Sequence, residues 1–301
     1  MATKTQAERA PARLGLSTTD LTMLLVVLIW GANFSIVKIA LQQFPPLAFA
    51  ALRFLVAGVL LWLIMRWREG PQPMSRAVLW KLTWVGIIGN TFYQVCFIYG
   101  ISISSAANAA LLIATTPAMI AGAGALLGQE KLRRPVVIGI GLALAGVALV
   151  LAARGLTFSS ESLIGDLLLV GCSVFWTIYT LGVRSIGTGI SPLRITTMTM
   201  LTGVPGLLLF SLPQLLSVEW ASISVGSWAG FLYATVFGLV LAYVLWNNSV
   251  RLVGSNRTAI YGCAIPLVAA LIAWPVLGEQ PTPLQAVGAV LIISGVLMTR
   301  K

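Results

Sequence analysis

Long apolar runs set the pattern of this chain. Stretches of about 20 residues with almost no charge inside them recur at about 20–41, 47–66, 78–98, 103–126, 135–153, 163–185, 192–212, 226–249, 256–277 and 283–300. Each has the length a helix needs to cross about 30 Å of hydrocarbon. The ten-residue alternating segments of a membrane barrel are absent. The pattern predicts an all-α polytopic membrane protein with ten transmembrane helices. A polar tail over 1–19 carries Lys4, Arg9 and Arg13. The run behind it is too long for a signal-peptide core and lacks an Ala-x-Ala end, so a retained first span is expected.

The runs are not independent of one another. Residues 106–130 read AANAALLIATTPAMIAGAGALLGQE and 255–279 read SNRTAIYGCAIPLVAALIAWPVLGE, which places Pro117 on Pro266 and Glu130 on Glu279 at one offset of 149. Further upstream an offset of 146 aligns Asp20 with Asp166, Trp30 with Trp176, Lys38 with Arg184 and Pro46 with Pro192. Self-similarity at a fixed offset signals a repeat architecture. The expected organisation is a cytosolic tail (1–19), a first five-helix repeat (20–153) and a second (163–300). Five is odd, so the second repeat enters the membrane from the opposite face, giving two inverted repeats around a central cavity. Secondary transporters recurrently use this design for alternating access.

Two further features follow from the repeat. The fifth and tenth runs share small residues, Gly139, Gly141 and Gly146 against Gly288 and Gly295, which suit close helix packing or a dimer contact. The expected assembly is a monomer or weak dimer. Pro117 and Pro266 each remove a helical N–H and are expected to act as hinges or static kinks. Glu130 and Glu279 read as helix-end acids.

Of the 301 residues, 58% are hydrophobic and 9% charged, against roughly a quarter charged in an ordinary soluble domain. The net charge of +11 does not point to nucleic acid, because no basic cluster is interleaved with aromatics on a soluble domain. Across ten spans the basic residues collect on one side: Arg66, Arg68, Arg76, Lys81, Lys131, Arg133, Arg134, Arg184, Arg194, Arg251, Arg257, Arg300 and Lys301, together with those of the tail. Only Arg154 falls on the other. The positive-inside rule then places both termini in the cytosol. Cys96, Cys172 and Cys263 lie in different spans without metal-ligand spacing and read as packing residues. No metal or cofactor is expected.

Polar and aromatic side chains at helical spacing mark faces that lipid disfavours. In the third span Asn90, Tyr93, Gln94 and Phe97 share one stripe, with Tyr99 beyond it; the eighth offers Tyr243, Trp246 and Asn247. The first span offers Trp30, Asn33, Phe34 and Lys38, and the sixth Trp176, Tyr179 and Thr180. The fourth and ninth add Asn108, Thr115, Thr116, Thr258 and Tyr261. Amides and hydroxyls in hydrocarbon need partners or water. They either line a substrate cavity or bond helices together. Trp62, Trp67, Trp80 and Trp220 read as interfacial anchors. Lys38 and Arg53 are the charges placed inside spans, and they either attract a substrate carboxylate or snorkel to the interface.

Trp30-Gly31-Ala32-Asn33-Phe34, Pro46 followed by Leu52-Arg53-Phe54, Pro117, and Leu-Gly-Gln-Glu with its second copy Leu-Gly-Glu occur in order along the chain. This set resembles the drug/metabolite transporter superfamily in its ten-helix EamA type, and is most similar there to YddG-type amino-acid exporters. The resemblance implies an inner-membrane exporter of amino acids, aromatic ones among them, and of some toxic cations. Arg53 falls on Thr199 in the second copy, so its role is played once.

No acid stands mid-span and histidine is absent, so facilitated movement is expected rather than a proton relay. The embedded glutamate of small multidrug relatives is missing, as is the midplane cationic clamp that phosphorylated substrates need. A neutral cavity of rings and amides suits small zwitterions such as amino acids. Organic cations or nucleobases, with or without proton coupling, are the alternative cargo. A receptor or assembly subunit is the non-transporting alternative. An intramembrane enzyme would need convergent catalytic groups that the chain lacks.

Overall fold

The computed structural model describes residues 18–128, 134–152, 160–187, 189–262, 264–278 and 280–298. Glu130, Glu279, Cys263, Arg154 and the basic residues of the tail lie outside them. Every regular element among the described residues is helical. Seven helices are long and apolar enough to cross a membrane, and shorter apolar helices at 137–146, Ile265–Leu277 and Pro283–Gly295 belong to the remaining three spans.

The first span is Thr18–Ala40 and the second Pro46–Glu69, with Pro46 at its start, where a missing N–H costs nothing. The third, Arg76–Ile103, runs longer than its apolar core and contains a π-helical turn over Ile87–Phe92. The fourth is broken into Ala106–Ile113 and Thr116–Leu126, and Arg134–Ala152 is the fifth. The second repeat copies these irregularities. After Ser160–Ile186 and Pro192–Ser217, the eighth span Val225–Val253 carries a π-turn over Val236–Leu241, 149 residues from the first. The ninth is broken into Ser255–Gly262 and Ile265–Leu277, and Pro283–Met298 is the tenth.

Packing obeys the same two-fold relation. The second span lies on the seventh and the fifth on the tenth; the third lies on the sixth as the eighth lies on the first; the fourth meets the sixth as the ninth meets the first. Gly139, Gly146, Gly288 and Gly295 of the fifth and tenth spans meet across the pair, whereas a Cβ on Gly141 would meet open space. A Cβ on Gly295 would fall 2.3 Å from the Gly139 carbonyl oxygen, and one on Gly146 2.7 Å from the Gly288 carbonyl oxygen. Backbone this close leaves no room for a side chain. Gly295→Leu is therefore expected to separate the pair and lower the melting temperature of the purified protein by several degrees, roughly the 1–3 kcal/mol of overpacking.

The second and seventh spans are clipped at both ends. Gln214 Oε1 accepts the Leu47 N–H at 2.7 Å at one end. At the other, buried Arg194 pairs with Glu69 at 3.2 Å and donates to the carbonyls of Gly70 and Gln72. Removing one partner of a buried pair leaves the other uncompensated. Arg194→Ala should destabilise by about 3 kcal/mol, measured as thermal aggregation of the detergent-solubilised protein.

Candidate substrate cavity

Trp30 and Trp176, symmetry mates on the first and sixth spans, meet at the middle of the molecule with ring centroids 5.8 Å apart and planes near perpendicular. Trp246 from the eighth span completes a triangle, 5.2 Å from Trp30 and 5.8 Å from Trp176, and Tyr243 stands 5.3 Å from Trp176. Tyr93 lies 5.2 Å from Trp176 and is stacked on Phe97, which meets Phe34 edge-on at 5.9 Å. Contacts of this geometry contribute about 0.5–1.5 kcal/mol each beyond area burial. They line one wall of a central cavity with about 790 Å³ of space between its atoms, part of it open to solvent.

Breaks in regular helix shape that cavity. Pro117 and Pro266 do not kink continuous helices; each stands in the first turn of the second half-helix, where proline is well tolerated. Pro117 has no N–H for the Ile113 carbonyl, and the Thr116 hydroxyl supplies that hydrogen bond at 2.6 Å. Thr116, Pro117, Gly262 and Ile265 border the cavity, so both breaks face it. The π-turns bring their glycines against the crossing spans. A Cβ on Gly89 would fall 2.3 Å from Tyr179, and one on Gly238 3.0 Å from Asn33. Asn33 and Tyr179 are themselves symmetry mates, so one packing device is used twice. Gly238 also accepts the Trp30 indole N–H through its carbonyl at 3.0 Å.

Of the candidate residues, Trp30, Asn33, Phe34, Tyr93, Gln94 and Phe97 border the cavity, and so do Thr116, Trp176, Tyr243, Trp246, Arg53 and Pro117. The others sit elsewhere. Asn90 lies in the π-turn and donates to the Thr199 carbonyl at 2.7 Å. Asn247 donates to the Tyr179 hydroxyl at 3.0 Å and to Thr196 at 2.8 Å. Tyr99 accepts from Gln214 at 3.2 Å, and the Asn108 side chain accepts from Gln285. Pro266 borders the break in the ninth span but not the cavity. Trp62, Trp67 and Trp80 are exposed on the outer surface, as interfacial anchors would be.

The two charges inside the spans part company. Arg53 does not snorkel: it is 1% exposed, donates to Gln94 Oε1 at 3.1 Å, and stacks over Phe49 at 4.8 Å. Lys38 lies at the end of its helix and donates to the Ser104 carbonyl, away from the cavity lining.

Polar grips tie neighbouring spans together at the two ends of the first helix, which has Asp20 in its first turn and Lys38 in its last. At the Lys38 end, Lys38 and buried Asp166 both hold Ser104, whose hydroxyl donates to Asp166 at 2.6 Å, just before the fourth span begins. At the opposite end, Asp20 accepts from Tyr261, and Arg184 donates to Ser255 at 3.1 Å, which holds the first half of the ninth span. Asp20 and Asp166 are symmetry mates, as are Lys38 and Arg184. The grips were not foreseen from sequence, although the alignment of the two acids was their trace. Small lining residues such as Ala110, Ala114, Ala259 and Gly262 were missed as well, since alanine and glycine carry no chemical signal.

A ten-helix inverted repeat surrounding a central aromatic cavity defines a membrane transporter rather than an enzyme. The EamA-like transporter family model matches residues 17–152 and again 163–300, and the chain belongs to that family. It is 31% identical over 273 residues to the uncharacterized transporter YyaM of Bacillus subtilis (strain 168), covering 89% of this chain and 88% of that one. It is also 28% identical over 282 residues to a probable amino-acid metabolite efflux pump of Salmonella typhimurium, covering 90% and 91%. A solved crystal structure superposes with a TM-score of 0.66 over 94% of this chain and 96% of its own, at 20% identity, a likeness of fold alone.

Proposed function

We propose that this chain exports small metabolites, amino acids foremost and aromatic and apolar ones among them, across the inner membrane by alternating access. Its termini lie in the cytosol, and the two repeats, over 20–153 and 163–300, rock about the central cavity. The carrying observation is the cavity wall: three indoles, two tyrosines, Asn33 and Gln94, with no carboxylate among the described lining residues. Such a wall offers π-faces and dipoles to a zwitterion while leaving a proton relay without its usual acid. The efflux-pump name carried by the Salmonella typhimurium relative supports the same cargo.

Movement follows the substrate gradient. The test is flux of radiolabelled amino acids in proteoliposomes, with and without an imposed pH gradient. Tryptophan, phenylalanine and leucine are expected to equilibrate at rates the gradient does not change. Uphill accumulation driven by pH would overturn the facilitated mechanism. Failure of every amino acid to move would overturn the cargo and favour nucleobases or organic cations.

A further inference from the structure

We propose that Arg53 is the seat of a carboxylate on the transported molecule, a reading that rests on the central cavity being the translocation path. The guanidinium borders the cavity, is buried, and has no acidic partner among the described residues, where its contacts are one hydrogen bond to Gln94 and the face of Phe49. Its Nε finds no hydrogen-bond acceptor in the protein. Five N–H donors in a planar fork match a carboxylate in two-point geometry. An isolated charge inside a membrane protein is costly and marks function by default.

The fold contains its own control for this position. The symmetry mate of Arg53 on the seventh span is Thr199, which is also fully buried and satisfies its hydroxyl on the Ile195 and Thr196 carbonyls of its own helix. Helix position and burial are repeated; the charge and the border on the cavity are found at Arg53 and not at Thr199. The architecture therefore does not require an arginine here, which leaves the cavity's contents as the reason for it.

The rest of the cavity orients the guest. Asn33 Oδ1 and Trp246 Nε1 are buried without protein partners, one an acceptor and one a donor. With the carboxylate on Arg53, an ammonium group meets Asn33 Oδ1 and the ring faces, and an apolar side chain lies among Trp30, Trp176 and Trp246. Among the described lining residues Arg53 is the one that carries a charge, so the cavity is biased against purely cationic guests. The substrate class narrows from any small amphiphile to monocarboxylates, zwitterionic amino acids foremost, and organic cations are disfavoured.

Binding by calorimetry tests the seat with phenylacetate against phenylacetamide, a pair that differs in the carboxylate. The full chain is expected to bind phenylacetate at least about tenfold tighter. Arg53→Gln should lose that preference, Arg53→Lys should keep part of it, and Arg53→Met should melt no lower than the native chain because it removes an unpaired buried charge. Equal binding of the two probes by the native chain overturns the proposal, as does a lower melting temperature of Arg53→Met. Displacement of phenylacetate by chloride at comparable concentrations identifies an inorganic-anion site and overturns it too. Phenylalanine flux separates the two readings. Phenylacetate binding without any phenylalanine flux sinks the amino-acid cargo and leaves the seat standing. Flux in Arg53→Gln that still prefers phenylalanine to its amide sinks the seat and leaves transport standing.

Discussion

Trp30→Ala is expected to reduce amino-acid flux in proteoliposomes by roughly 30- to 1,000-fold while the protein stays monodisperse. Trp30 touches Trp176, Tyr243 and Trp246 and holds the π-turn of the eighth span through Gly238. Truncating a buried aromatic at the centre of a binding surface typically costs 2–4 kcal/mol of binding, which converts to roughly 30- to 1,000-fold. Trp30→Phe keeps a ring but loses the N–H to Gly238, so an intermediate flux is expected. A Trp30→Ala protein that is folded and transports at the native rate would remove the indole triangle from the path.

The two polar grips give the second large effect. Asp166→Ala weakens the hold on the fourth span at the Lys38 end, and Asp20→Ala weakens the hold on the ninth span at the other. Hydrogen bonds to a charged group are worth about 1.5–3 kcal/mol, which changes a two-state population ratio by roughly 10- to 150-fold. The substitutions should act in opposite directions. On the orientation that the charge distribution predicts, Asp166→Ala favours an outward-facing population and Asp20→Ala an inward-facing one, and each slows net flux by trapping the carrier. The readout is labelling of a cavity cysteine by an impermeant maleimide from each side. Shifts in the same direction would show that the grips only hold the fold together.

How far this was legible in the sequence depended on helix regularity. The 149-residue offset exposed the repeat because it preserved glycines and prolines, whose backbone effects do not depend on neighbours. Of the third-span stripe, Tyr93, Gln94 and Phe97 lie in regular α-helix and all three border the cavity. Asn90 was grouped with them on α-helical spacing, but the π-turn of Ile87–Phe92 adds a residue to its turn and directs its amide to Thr199. Asn247 follows Trp246 directly, and neighbouring helical residues point in different directions. One borders the cavity and the other ties to the sixth and seventh spans.

The two intramembrane cations could not be separated from sequence, because each lay within reach of a helix end. Burial separates them: Arg53 is enclosed by Gln94 and Phe49, and Lys38 reaches the backbone ahead of the fourth span. The prolines were visible in the sequence, and the structure sets each in the first turn after a break rather than inside a continuous helix. A kink requires the helix to continue through proline, and here the chain stops and restarts with proline in the first turn.

Transport as proposed requires the indole-walled cavity to be one site reached in turn from both membrane faces. A single cysteine at Ala114, which borders the cavity at the break of the fourth span, tests it in proteoliposomes once Cys96, Cys172 and Cys263 are replaced by alanine. Impermeant maleimide should label this cysteine from either face, and a transported amino acid such as phenylalanine should protect it from both. Labelling from one face only, or labelling that phenylalanine does not slow, would contradict the account.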